Sequence, residues 1–105
     1  MVKVKDSIIK IVKEYLKEVE KSGIRIKKAY LYGSFAKGKS KEKSDIDVAI
    51  ISTDFTNDRF EEALRLRTLR WNIDLRIEPM PINSDNFTKN NPLVSEILKY
   101  GIAIR

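Results

Sequence analysis

Ile8, Ile11, Val12, Tyr15, Leu16 and Val19 recur at helical intervals, with lysine and glutamate filling most positions between them. This spacing lays one apolar stripe along a helix, and Gly23 stands where such a helix would stop. From Ile24 the period shortens, and IRIKKAYLY reads as a strand running into Gly33-Ser34. FAKGKSKEKS is polar and carries a glycine, which predicts a loop with room for one helical turn. IDVAIIS is a near-continuous apolar run rich in branched residues, as in a strand covered on both faces. A second helix, capped by Thr56 or Asn57, is expected to hold Phe60, Ala63, Leu64, Leu66, Leu69 and Trp71. NIDLRIE alternates strictly, with Ile73, Leu75 and Ile77 on one strand face and Asp74, Arg76 and Glu78 on the other. Pro79 and Pro81 should break that strand and begin a looser connection. Asn91-Pro92 opens a last helix through Tyr100, Gly101 falls just past its end, and IAIR is placed to close the sheet.

The order is α, β, β, α, β, α with a terminal strand, and no repeat, low-complexity tract or linker interrupts it. Strands joined by a short loop pair antiparallel, so the sheet should be mixed. The expected fold is α/β (α+β), a small mixed sheet flanked by helices, in a single domain over residues 1–105.

Composition narrows the chemistry. With 42% hydrophobic and 34% charged residues the chain is globular. Its apolar runs are too short to span a bilayer and no secretion signal is evident, so a cytoplasmic location is expected. There is no cysteine and no histidine. Disulfides, thiolate metal sites, Ser-His-Asp and Cys-His mechanisms and imidazole ligation are all excluded. Any acid–base or metal chemistry must come from carboxylates, lysines or tyrosines. A formal charge of +6, from 21 Lys and Arg against 15 Asp and Glu, attracts polyanions: triphosphates, RNA or an acidic partner protein.

Asp45 and Asp47 sit at the start of the most apolar strand. Side chains two apart share a face, so the two carboxylates begin roughly 6.6–7 Å apart. Two like charges at the edge of a hydrophobic sheet need neutralising, either by a turn and a lysine or by a divalent metal. Oxygen-only ligands favour magnesium or manganese. Asp74 lies on the polar side of another predicted strand, and if the two strands are neighbours it would complete a triad able to hold two ions roughly 3.5–4 Å apart. Arg76, on the same face, either contacts phosphate or pairs with Asp74, and the pairing is favoured. Gly33-Ser34 lets backbone amides approach an anion, and Lys37, Lys39, Lys41 and Lys43 follow in a loop that either steers a triphosphate or is simply solvated.

GSFAKGKSKEKSDID carries Gly33-Ser34, ten residues, then Asp45-Ile46-Asp47, and in this it resembles the GSx10DxD signature of the DNA-polymerase-β-like nucleotidyltransferase superfamily. The likeness extends from YLYGS to the NPLVSEILKYGIAIR ending and is greatest to the minimal nucleotidyltransferases. The resemblance implies that Gly33 and Ser34 bind the triphosphate, with Lys43 standing where that loop often has arginine. It implies that Asp45, Asp47 and Asp74 ligate two magnesium ions, and that ATP is the default donor.

Larger members of the superfamily use further domains to hold the acceptor, and this chain is expected to end about where the catalytic core ends. Minimal nucleotidyltransferases resemble antitoxins paired with HEPN ribonuclease toxins, which implies an adenylyltransferase acting on a tyrosine of a HEPN-type partner. Two alternatives stay open: a non-catalytic module that silences its partner by binding, and transfer to RNA or a small molecule. RNA is not favoured, because Tyr30, Tyr32 and Trp71 read as core residues rather than a stacking platform.

Overall fold

Apolar side chains on both faces of a strand demand cover on both faces of the sheet, and helices supply it here. The computed structural model describes residues 4–41, 43–56 and 58–105. It runs α1 (Asp6–Lys21), β1 (Lys28–Tyr32), α2 (Ser34–Lys37), β2 (Ile46–Ser52), α3 (Arg59–Thr68), β3 (Ile77–Asn83), a 3-10 turn (Ser84–Asn86), α4 (Pro92–Tyr100) and β4 (Ile102–Ala103). The sheet order is β3-β2-β1-β4. β1 is antiparallel to β2 and to β4, whereas β2 and β3 are parallel, so the sheet is mixed as expected.

β2 is the apolar centre. Ile46, Val48 and Ile50 join Val12, Tyr15 and Val19 of α1 and Leu66 of α3 in one core. Ala49 and Ile51, on the opposite parity, meet Val94 and Ile97 of α4 in another. Each fully buried branched side chain contributes roughly 1.5–3 kcal/mol. The buried Tyr15 hydroxyl donates to the Leu66 carbonyl at 2.7 Å and so ties α1 to α3. At α4, the Asn91 side chain accepts from the Leu93 and Val94 amides ahead of a first-turn proline, as the sequence predicts.

Three expectations are corrected. The cap of α3 is Asp58, whose carboxylate accepts from the Glu61 amide at 3.1 Å. Thr56 instead lies one step earlier, its hydroxyl accepting from the Asp58 amide, while Asn57 lies outside the described residues. Next, α3 ends at Thr68 and buries only its Glu62–Leu66 side, so Phe60, Leu64 and Trp71 are exposed and Trp71 is not a core residue. One strip of a short helix fits against the sheet, and apolar residues on the far side stay in water.

Finally, NIDLRIE is mostly a turn. The third strand begins at Ile77 and runs straight through Pro79 and Pro81. It is an edge strand, and both prolines have the parity that faces away from β2, so no sheet hydrogen bond is lost. Among the described residues no helix is long and apolar enough to cross a membrane.

Candidate active site

β1 delivers Tyr32 opposite Asp47 of β2, and the next residue, Gly33, turns the chain into α2 with φ of 76°. Few L residues adopt that backbone. Space forbids a side chain as well: a Cβ on Gly33 would overlap the Asp47 Oδ2 and lie 3.1 Å from its Cγ. The glycine of the Gly-Ser pair is therefore required by the carboxylate it faces, a reason independent of any ligand.

Asp45 immediately precedes β2 and is exposed, while Asp47 is half-buried within it. Both line an open groove of about 700 Å³, together with Tyr32, Glu78 and Met80 of the sheet and Arg59, Phe60, Ala63 and Arg67 of α3. That volume suits a small-molecule substrate. Burial, then the neighbouring Asp45 and Glu78 carboxylates, push the Asp47 carboxyl up to about 6. Burial and the charges of Asp47, Glu96 and Glu78 likewise push the Tyr32 hydroxyl up to about 12. Among the described residues no lysine or arginine forms an ion pair with Asp45 or Asp47. An uncompensated carboxylate pair, with oxygen ligands only, fits a hard divalent cation such as magnesium.

Asp74, expected as the third carboxylate, is placed elsewhere. It lies in the turn before β3, does not line the groove, and is held by Arg76. The Arg76 amide donates to its Oδ1 at 2.9 Å, Nε to Oδ1 at 3.0 Å, and the second guanidinium nitrogen to Oδ2 at 2.8 Å. This bidentate contact holds the Asp74 carboxyl below the usual range. Arg76 thus pairs with Asp74, as favoured from sequence, and the pair shapes the turn that brings β3 alongside β2.

The acid beside Asp47 is Glu78, its direct partner in the parallel register. Burial tends to raise the Glu78 carboxyl, but Arg67 at 2.9 Å and Arg70 at 3.1 Å outweigh it and hold it below its ordinary value. Glu78 is turned onto these arginines, and no three carboxylates among the described residues already form a metal cage. Its place was within reach of the sequence: Glu78 shares the alternation of Asp74, and reading the prolines as edge-strand residues moves the strand start to Ile77.

The basic loop is divided. Lys37 is drawn to α4, with its ammonium 2.5 Å from Glu96 and over the Tyr100 ring. Lys39, Lys41 and Lys43 are exposed, and Lys43 does not line the groove. Ser34 opens α2 directly after the Gly33 turn. Asp45 and Asp47 thus line the groove with Glu78, Arg59, Phe60 and Arg67, and Gly33 packs against Asp47 with Ser34 next in the chain, whereas Ser34, Lys43 and Asp74 are not among the groove-lining residues.

Comparison with known proteins finds relatives in sequence and in fold. A Haemophilus influenzae protein named probable protein adenylyltransferase MntA is 42% identical over 50 residues, 44% of this chain and 44% of its own, so the match spans under half of that relative. A toxin–antitoxin structure with AMP-PNP has a chain of the same fold, with a TM-score of 0.60 and 20% identity, covering 89% of this chain and 71% of that one. A tri-AMPylated Shewanella oneidensis HEPN toxin in complex with MNT antitoxin provides another, with a TM-score of 0.58 and 17% identity over 93% of this chain and 71% of that one. The polymerase beta nucleotidyltransferase model matches residues 8–104, taking in the Gly33 turn, both groove aspartates and all four strands, and the chain accordingly belongs to that family.

Proposed function

We propose that the chain is a magnesium-dependent adenylyltransferase that moves AMP from ATP onto a hydroxyl, a tyrosine in the leading case, of a HEPN-type toxin and so acts as its antitoxin. The observation that carries this is the uncompensated Asp45–Asp47 pair on the groove floor, with Gly33 pressed against Asp47. The acceptor is suggested by the adenylyltransferase name of the Haemophilus relative and by the AMPylated HEPN toxin in the Shewanella complex. The AMP-PNP in the other toxin–antitoxin structure supports ATP as donor. Use of ATP suits a cytoplasmic protein.

The acceptor oxygen forms a bond to the α-phosphorus, the α–β anhydride bond breaks, and pyrophosphate leaves while the hydroxyl proton passes to a carboxylate or water. Asp45 and Asp47 would hold two magnesium ions, with manganese able to replace them. When bound, the ions neutralise triphosphate charge and make the acceptor hydroxyl more acidic. Glu78, released from Arg67 and Arg70, would supply the third carboxylate in place of Asp74. Gly33 and Ser34 offer backbone amides and a hydroxyl to the triphosphate, and Lys43 adds positive charge at the loop. Arg67, freed from Glu78, can face the developing negative charge.

Intact-mass spectrometry tests this, using a HEPN-type toxin with ATP and magnesium. An AMP-sized adduct that vanishes with Asp45→Asn or Asp47→Asn is expected, and its absence from the wild-type reaction sinks the reading. The Glu78–arginine pairs favour one alternative, a module that silences its partner by binding alone. In that case Asp47→Asn would still neutralise the partner.

A further inference from the structure

The face of α3 next to the groove is apolar and exposed. Successive helical residues turn by roughly 100°. Glu62, Leu66 and Leu69 therefore face the core, and Arg59, Ala63 and Arg67 line the groove. The next strip round the helix holds Phe60, Leu64 and Trp71, because the chain continues past Thr68 in tight turns, Leu69 bonding back to Leu66 and Arg70 to Arg67 at 3.2 Å. These side chains are 75%, 48% and 71% exposed, and Leu75 beyond them is 56% exposed. Phe60, Leu64 and Trp71 together present roughly 400 Å² of apolar surface, as large as the largest patch on an ordinary monomer.

We infer that this strip is the docking surface for the protein that carries the acceptor hydroxyl, an inference that rests on the proposed transferase reading. The strip is continuous with the groove through Phe60, which belongs to both. A protein seated on Leu64 and Trp71 would therefore deliver a side chain toward Asp45 and Asp47. Strip and groove lip together approach the ~800 Å² per partner of a standard interface, whereas an obligate dimer needs more. Charge separates the occupants. Two copies packed α3 on α3 would bring together the Arg59 of each, on chains of net charge +6, which is repulsive. A partner whose apolar patch is bordered by carboxylates meets Arg59 favourably. Two leucines in the strip and Glu61 beside it suit a protein better than a nucleic acid.

The test is the double variant Leu64→Ser, Trp71→Ser, both exposed positions that leave the core untouched. With the same HEPN-type toxin as probe, calorimetry should show binding weakened roughly tenfold or more. KM for that protein should rise in step, with magnesium–ATP affinity and far-UV circular dichroism unchanged. Unaltered partner binding overturns the inference. So does a wild-type dimer that the variant dissociates with partner affinity intact, or salt-sensitive RNA binding as the only property lost. A wild-type chain that does not bind the probe overturns it too. A wild-type chain that binds the probe but transfers nothing removes the transferase reading alone, and the change in affinity still decides the docking surface.

Discussion

Gly33 and Asp47 meet where no side chain other than hydrogen can fit: the space a Cβ would take at Gly33 is filled by the Asp47 carboxylate. The backbone there, φ 76° and ψ −149°, is one that essentially only glycine adopts. Two residues separated by the whole loop thus constrain each other.

Gly33→Ala should cost at least about 1–3 kcal/mol in strain alone, with steric overlap added. In a domain of this size, each kcal/mol lowers Tm by roughly 4–8 °C. In an Asp47→Ala background the overlap disappears and only the strain remains, so the glycine substitution should cost less. Thermal melts of the four proteins in the cycle measure the difference. Equal costs in both backgrounds would mean that the contact carries no energy.

The Asp47 carboxyl, raised to about 6, predicts an inverted pH dependence for the metal-free protein. Between the ordinary carboxylate value near 4 and about 6, the folded state binds more protons than the unfolded chain. Its contribution to stability must therefore fall as pH rises through that window, with the full penalty present above it. Asp47→Asn should flatten that part of the Tm–pH curve and melt higher than wild type at pH 7 in the presence of a chelator. Parallel curves for the two proteins would contradict this account.

Magnesium should reverse the penalty. At pH 7.5 the wild-type Tm should rise with magnesium concentration, as expected for a ligand that binds only the folded state. Asp45→Asn and Asp47→Asn should lose most of the rise, and Asp74→Asn should keep it. A rise retained by both groove variants would place the cation elsewhere.

Asp74 and Glu78 should separate stability from activity. Asp74→Asn breaks a charge-assisted contact with Arg76 and should cost about 1–3 kcal/mol while leaving most of the transfer rate. Because Arg76 holds the Asp74 carboxyl low, its stabilisation is present above pH ~4 and is lost as pH falls through the lowered value. Glu78→Gln should reduce transfer by roughly a hundredfold or more, as expected for a residue acting on the transition state. Denaturant melts and adduct formation rates read both, and the reverse pattern would return the third carboxylate to Asp74.

Much of the fold was legible along the chain because local patterns carry it. The helical stripe of α1, the apolar run of β2 and the Asn91–Pro92 start of α4 match the structure in type and in place. The β1 strand is shorter than its pattern, since only Lys28–Tyr32 pair. The Gly-Ser and Asp-x-Asp motif was legible for a similar reason. Residues 33 and 34 end one strand and residues 45 and 47 begin its antiparallel neighbour, so the loop between them brings both to one sheet end.

Near neighbours along the chain were therefore enough to give the helix stripes, strand parity, the pair of groove aspartates and the exclusion of histidine and cysteine chemistry. The position of β3 comes instead from contacts between distant segments. Its edge position tolerates Pro79 and Pro81, and its parallel register brings Glu78, not Asp74, beside Asp47. Tertiary structure likewise decided that Trp71 faces water, because helical periodicity gives the side of α3 on which a residue sits but not which side meets the sheet. Parity and periodicity are properties of one segment, whereas register and burial are properties of two segments in contact, and no single run of residues contains them.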